Sequence, residues 1–118
     1  MRTELKAKAR EFSPVPGLTL KDMGDIQLED NEQVTFRIAP GKGHDVTRME
    51  WGFYLANSVN WNLKNQGFKT ALVVSKSPTG PRLFLNLVEG GKLAQFQAYL
   101  SKNGMEVVSW LDEWFGGK

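Results

Sequence analysis

Between Gln33 and Ile38 apolar and polar side chains alternate without a break, with Val34, Phe36 and Ile38 on one side and Thr35 and Arg37 on the other. That period of two is the mark of a half-buried β-strand. The same rhythm in Met49–Leu55 sets Met49, Trp51, Phe53 and Leu55 against Glu50, Gly52 and Tyr54, and predicts a second strand. Between them Ala39–Asp45 is rich in residues that permit turns. Two further β-rich runs, Phe68–Ser75 and Arg82–Val88, flank Ser77-Pro78-Thr79-Gly80-Pro81 and predict a hairpin. A helix follows over Lys92–Asn103, with Leu93, Phe96, Gln97 and Leu100 on one side and Gly104 as its stop. Met105–Trp110 predicts a last strand and Leu111–Phe115 a short amphipathic tail.

The first third of the chain is less regular. Leu5, Ala9 and Phe12 recur at the spacing of one helix face, which predicts a short helix over Thr3–Phe12. Ser13-Pro14-Val15-Pro16-Gly17 ends it as a stiff connector. Residues 18–32, with Leu18, Leu20, Met23, Ile26 and Leu28, suit a short helix or an edge strand. Asn57–Gly67 carries four asparagines together with Trp61 and Leu63, and predicts an ordered loop or a helical turn.

The expected fold class is therefore α+β: a single small domain with a mostly antiparallel, four- to five-stranded sheet. The helix at about 92–103 packs on one face, and a short N-terminal helix precedes the sheet. Residues 1–17 form that helix and the Pro-rich connector, and residues 18–118 the domain. One strand constrains the packing. Leu83, Leu85 and Leu87 alternate with Phe84 and Val88, so strand 82–88 is apolar on both faces and needs cover on both. The late helix covers one face, which leaves the other to the N-terminal helix, a second subunit or a ligand.

Composition narrows the chemistry. A chain of 118 residues has room for one domain. It has no Cys, which excludes disulfides, thiolate metal sites and Cys nucleophiles, and its one His, His44, excludes any site built on two imidazoles. No apolar run approaches the roughly 20 residues of a membrane span, and the first residues lack a signal-peptide core, so a cytoplasmic protein with no membrane partner is expected. The acidic run Asp22–Glu32 carries a net charge of −5 but not the spacing of a calcium loop, and reads as solvated. Gly41-Lys42-Gly43 lacks the spacing of a phosphate loop. His44 and Asp45, as neighbours in extended chain, point opposite ways and are poorly placed to act together. Asp112 and Glu113 lie on the terminal tail, without a desolvating pocket. No constellation argues for an enzyme, a metal or a cofactor.

What remains is a surface. With Val34, Phe36, Ile38, Trp51, Phe53 and the three leucines of strand 82–88 inward, the opposite side presents Thr35, Arg37, Tyr54, Lys69, Val73, Arg82, Phe84 and Asn86. Aromatic rings interleaved with cations suit single-stranded DNA or RNA, because bases stack on rings while cations follow the phosphates. Lys42, Arg48, Lys64 and Lys76 extend the basic track, and Trp61 supplies a further ring. The net charge of +2 and pI near 9.0 are compatible with such a partner. Four consecutive strands followed by a helix also resembles the element order of Whirly-type single-strand-binding domains, in order alone. The first expectation is thus a non-enzymatic single-strand-binding module acting as a homodimer; the second is a protein-interaction subunit or adaptor that uses the Trp-rich C-terminus: Trp110, Trp114 and Phe115.

Overall fold

The chain first reverses at Pro16-Gly17. In the structure, a computed structural model that describes residues 1–114, β1 (Arg2–Val15) runs antiparallel to β2 (Leu18–Gln27). Val15 faces Leu18 across a two-residue turn in which Gly17 adopts φ +84°. Proline then positive-φ glycine is the residue pair that a type II turn asks for. The expected N-terminal helix is thus a strand. Thr3, Leu5, Ala7 and Ala9 also alternate strictly with Glu4, Lys6, Lys8 and Arg10, so the segment carries both rhythms. A helix this short is marginal alone, whereas the turn delivers a partner strand at once.

Among the described residues the expected single sheet is also replaced, by sheets of two, three and three strands. The chain divides into two compact units, Met1–Ile38 with Gly43–Ala56, and Ala39–Lys42 with the chain from Asn57 onward. The first holds the β1–β2 hairpin and most of a sheet of β3 (Gln33–Ala39), β4 (Lys42–Met49) and β5 (Gly52–Leu55). The turn expected over Ala39–Asp45 contracts to Pro40-Gly41. The strand expected over 49–55 is broken at Glu50-Trp51, where Gly52 adopts φ +143° and Met49 faces Gly52. Trp51 therefore stands at a turn tip, 70% exposed, instead of in a core. Leu28, 5% exposed, is the buried large apolar side chain of this unit.

The second unit matches its local pattern closely. A helical turn α1 (Asn62–Asn65) precedes β6 (Phe68–Ser75) and β7 (Arg82–Glu89), followed by α2 (Leu93–Lys102) and β8 (Met105–Trp110). The order β7-β6-β8 is antiparallel throughout. Ala71 and Val73 (both 0% exposed) and Leu100 (2%) form the centre of the core, with Phe96, Met105, Val107 and Trp110 packed against it. Small side chains at 71 and 73 let Phe96 and Leu100 of α2 come down onto β6. Helix and sheet combine as expected for a mostly antiparallel fold with one helix on a sheet face. The face is the reverse of the one expected: Val73 pairs with Phe84 and Ala71 with Asn86, so these lie on the α2 side, and Leu83 and Leu85 lie on the other.

Candidate interaction surface

On the face of the β7-β6-β8 sheet away from α2, Leu72 pairs with Leu85, Val74 with Leu83, and Thr70 with Leu87. One end of this face is closed. Phe68 is 2% exposed, the Lys42 ammonium lies 5.0 Å from its ring centroid, and α1 packs on β6 with Leu63 at 6% exposure. Lys42 is held in place by Glu89 at 3.2 Å. Lys92 and Lys42 beside it keep the Glu89 carboxyl below its ordinary value, against the opposing effect of desolvation. The other end is open. Leu83 is 63% and Leu85 57% exposed, and on β8 Ser109 and Glu106 stand opposite Leu72 and Val74. Neighbouring leucines left this bare on a strand face form an apolar patch of the kind that marks an interaction site.

Opposite, on the α2 side, lies a buried ion pair. Lys69 donates to Asp112 Oδ2 at 3.0 Å, with Glu113 3.6 Å away, and the Thr70 N–H donates to Asp112 Oδ1 at 2.9 Å. Asp112 is 2% exposed, so the C-terminal tail does desolvate a carboxylate, contrary to the expectation for an exposed tail. Burial by itself would push the Asp112 carboxyl up, but Lys69 and the Thr70 N–H outweigh it and hold it below the ordinary 3.8. The bond to Asp112 likewise raises the Lys69 ammonium above 10.5 despite its partial burial. With the Lys69 ammonium 4.9 Å from the Trp110 ring, and that ring edge-on to Phe96 at 6.0 Å, the group fastens the chain after β8 to β6.

The residues expected to bind nucleic acid fall in both units. In the first, Arg37 and Tyr54 share a face: Thr35 bonds Asp45, Thr47 bonds Gln33, and Thr47 pairs with Tyr54. Both are exposed, and Arg37 forms no ion pair among the described residues. Arg48 pairs with Phe53, on the opposite face, where it donates to the Leu28 carbonyl at 2.6 Å and lies 3.5 Å from Asp30. In the second unit Lys69, Arg82 and Phe84 share the α2 side, with Phe84 48% exposed. Arg82 is turned into the 77–81 loop, donating to Thr79 Oγ1 at 2.7 Å, and Lys76 lies 3.1 Å from Glu106. Trp61 is 72% exposed at the start of α1, and Lys64 on α1 forms no ion pair among the described residues. Of the expected interface aromatics, Trp110 is half-buried, Trp114 is 63% exposed, and Phe115 lies outside the described residues.

His44 packs its ring 5.5 Å from that of Phe36, while Asp45 bonds Thr35 on the other face, the opposed directions that consecutive strand residues must take. Among the described residues no group of three or more His, Asp or Glu side chains comes together as a metal site, and no helix is long and apolar enough to cross a membrane. Comparisons with protein-family models, with curated proteins and with solved structures find no match to this chain.

Sequence reasoning missed Leu83 and Leu85 as surface groups and Asp112 as a buried one. A signal for the first was present, since strand 82–88 is apolar on both faces and the segment expected to cover its second face as a helix also carries the period of a strand. Nothing in the pattern around Asp112 marks its burial.

Proposed function

We propose that this protein is a non-enzymatic interaction subunit that holds a polypeptide partner on the open aliphatic face of the β7-β6-β8 sheet. The observation that carries this reading is the exposure of Leu83 and Leu85, at 63% and 57%, beside Leu72 and Val74, with the Lys76–Glu106 ion pair at the β8 side of the same face. Burying such side chains is worth about 25 cal/mol per Å² of apolar surface. A photoreactive phenylalanine analogue at position 83 is expected to cross-link to a polypeptide in cells, while the same group at Thr47 is not. Adding Leu85→Asp should reduce the adduct about fivefold, the ratio that roughly 1 kcal/mol corresponds to. An absence of adduct at 83, or equal adducts at 83 and 47, overturns the reading.

Single-stranded nucleic acid binding is the second reading, supported by Arg37 and Tyr54 exposed on one face of the β3–β5 sheet, with Arg37 unpaired among the described residues. A labelled oligonucleotide should then bind more weakly as salt rises. Arg37→Glu with Tyr54→Ala should weaken binding about tenfold or more at low salt, the loss of one stacked base and one phosphate contact. Binding unaffected by both salt and the double substitution counts against it.

A further inference from the structure

The register of the β1–β2 hairpin has a large irregularity. Leu5 pairs with Gly24 and Arg10 with Asp22, so the four residues Lys6–Ala9 stand opposite Met23 alone. A strand with that many extra residues cannot pair them all and pushes them out of the ladder. The position opposite Leu5 tolerates the crowding because it is glycine, whose absent Cβ would overlap the Glu4 carbonyl. Lys6 and Lys8 are exposed on this protrusion, and neither forms an ion pair among the described residues.

Beside the protrusion, in the same unit, runs a groove of about 640 Å³. Ile26, Met49, Trp51 and Phe53 form its apolar lining, with Trp51 70% and Phe53 66% exposed, and Asp25 and Glu50 also line it. These two carboxylates form no ion pair among the described residues, while Arg48, the groove's cation, is already engaged by Asp30 and the Leu28 carbonyl. The groove therefore offers negative charge and aromatic faces to a cation with an aliphatic stem, which is the chemistry that lysine presents.

We propose that this groove receives the Lys6–Ala9 protrusion of a second copy of the chain, and that two copies exchange protrusions about a two-fold axis. Charge complementarity selects the occupant: among the described residues Lys6 and Lys8 form no ion pair, Lys6 acting on Asp22 only at longer range, and Asp25 and Glu50 form none either. Closure follows from placement, because Leu5 and Gly24 face each other, so the protrusion that begins at Lys6 and the groove that begins at Asp25 are adjacent. A two-fold pair then forms both contacts at once, and the assembly closes as a dimer. Ala7 and Ala9 are small enough to let the lysine stems lie along Trp51 and Phe53.

Sedimentation velocity tests this on the intact chain. At low salt the wild type is expected at twice the 13.3 kDa chain mass, shifting toward 13.3 kDa as salt screens the pairs. Asp25→Lys with Glu50→Lys, and separately Lys6→Glu with Lys8→Glu, should each weaken association by at least about tenfold, since each chain then opposes like charges. Mixing the two variants should restore the double mass, because each protrusion again meets an opposite groove. All four positions are exposed, and circular dichroism confirms that each variant is folded. A wild type at 13.3 kDa in low salt, association indifferent to both variants, or a mixture that stays monomeric overturns the proposal. Association lost only on Leu85→Asp also overturns it, and would place self-association on the open sheet face instead.

Discussion

Phe68→Ala is expected to lower the unfolding free energy by about 3–5 kcal/mol, the range for truncating a buried aromatic side chain. Phe68 is 2% exposed at the closed end of the β6 face, near the buried Leu63 and under the Lys42 ammonium. Its loss removes the transfer energy of the ring and leaves a cavity that the short α1 cannot collapse to fill. A chain of this length has a total stability of roughly 6–18 kcal/mol, so the loss is a large share of it. Trp51→Ala provides the contrast. With Trp51 70% exposed at a turn tip, the larger truncation should change stability by less than about 0.5 kcal/mol. Denaturant midpoints for the two variants measure both, and equal losses would refute the burial pattern.

Asp112→Ala is the second large effect, expected at about 2–4 kcal/mol, because it leaves Lys69 without its main partner and the Thr70 N–H without an acceptor. Lys69 keeps some access to water and to Glu113, which holds the loss below that of a fully enclosed pair. The pH dependence has a definite sign. Asp112 has a carboxyl lowered from 3.8, so its contribution is present above that value and disappears as pH falls through the lowered one. Lys69 is raised from 10.5, so its contribution is present below that value and disappears as pH rises through the raised one. Wild-type stability should therefore hold between these limits and fall in acid more steeply than that of Asp112→Asn. Parallel acid titrations of the two chains, followed by thermal melts, would argue against the ion pair as a stabilising contact.

Much of the second unit is legible along the chain. The 68–75 and 82–89 hairpin, the helix after it and the strand Met105–Trp110 each rest on a rhythm and a stop signal within a few residues, and all appear in the structure. The first unit is legible only in part. Val34, Phe36 and Ile38 do share a strand, but the tract after it holds two turns where one was expected, because Glu50-Trp51 carries no conventional turn signal and only Gly52 accommodates the reversal. Of the residues expected to bind nucleic acid, several are charged groups whose partners are remote in sequence, such as Lys69 with Asp112 and Lys76 with Glu106. A pattern of single residues shows that a cation is present and not whether an acid already holds it.

The amino-acid order by itself determined the elements whose partners are close at hand: the hairpin that flanks Ser77–Pro81, the helix before Gly104, and the apolar character of both sides of β7. Local backbone preference and side-chain period act over a few residues, and those need nothing from the rest of the chain. Only the tertiary structure decided that Thr3–Phe12 pairs as a strand, that α2 covers Ala71 and Val73 while Leu83 and Leu85 stay bare, and that Asp112 is drawn under Lys69. Each of those outcomes is a choice between arrangements of similar local energy, and packing against a distant segment supplies the difference.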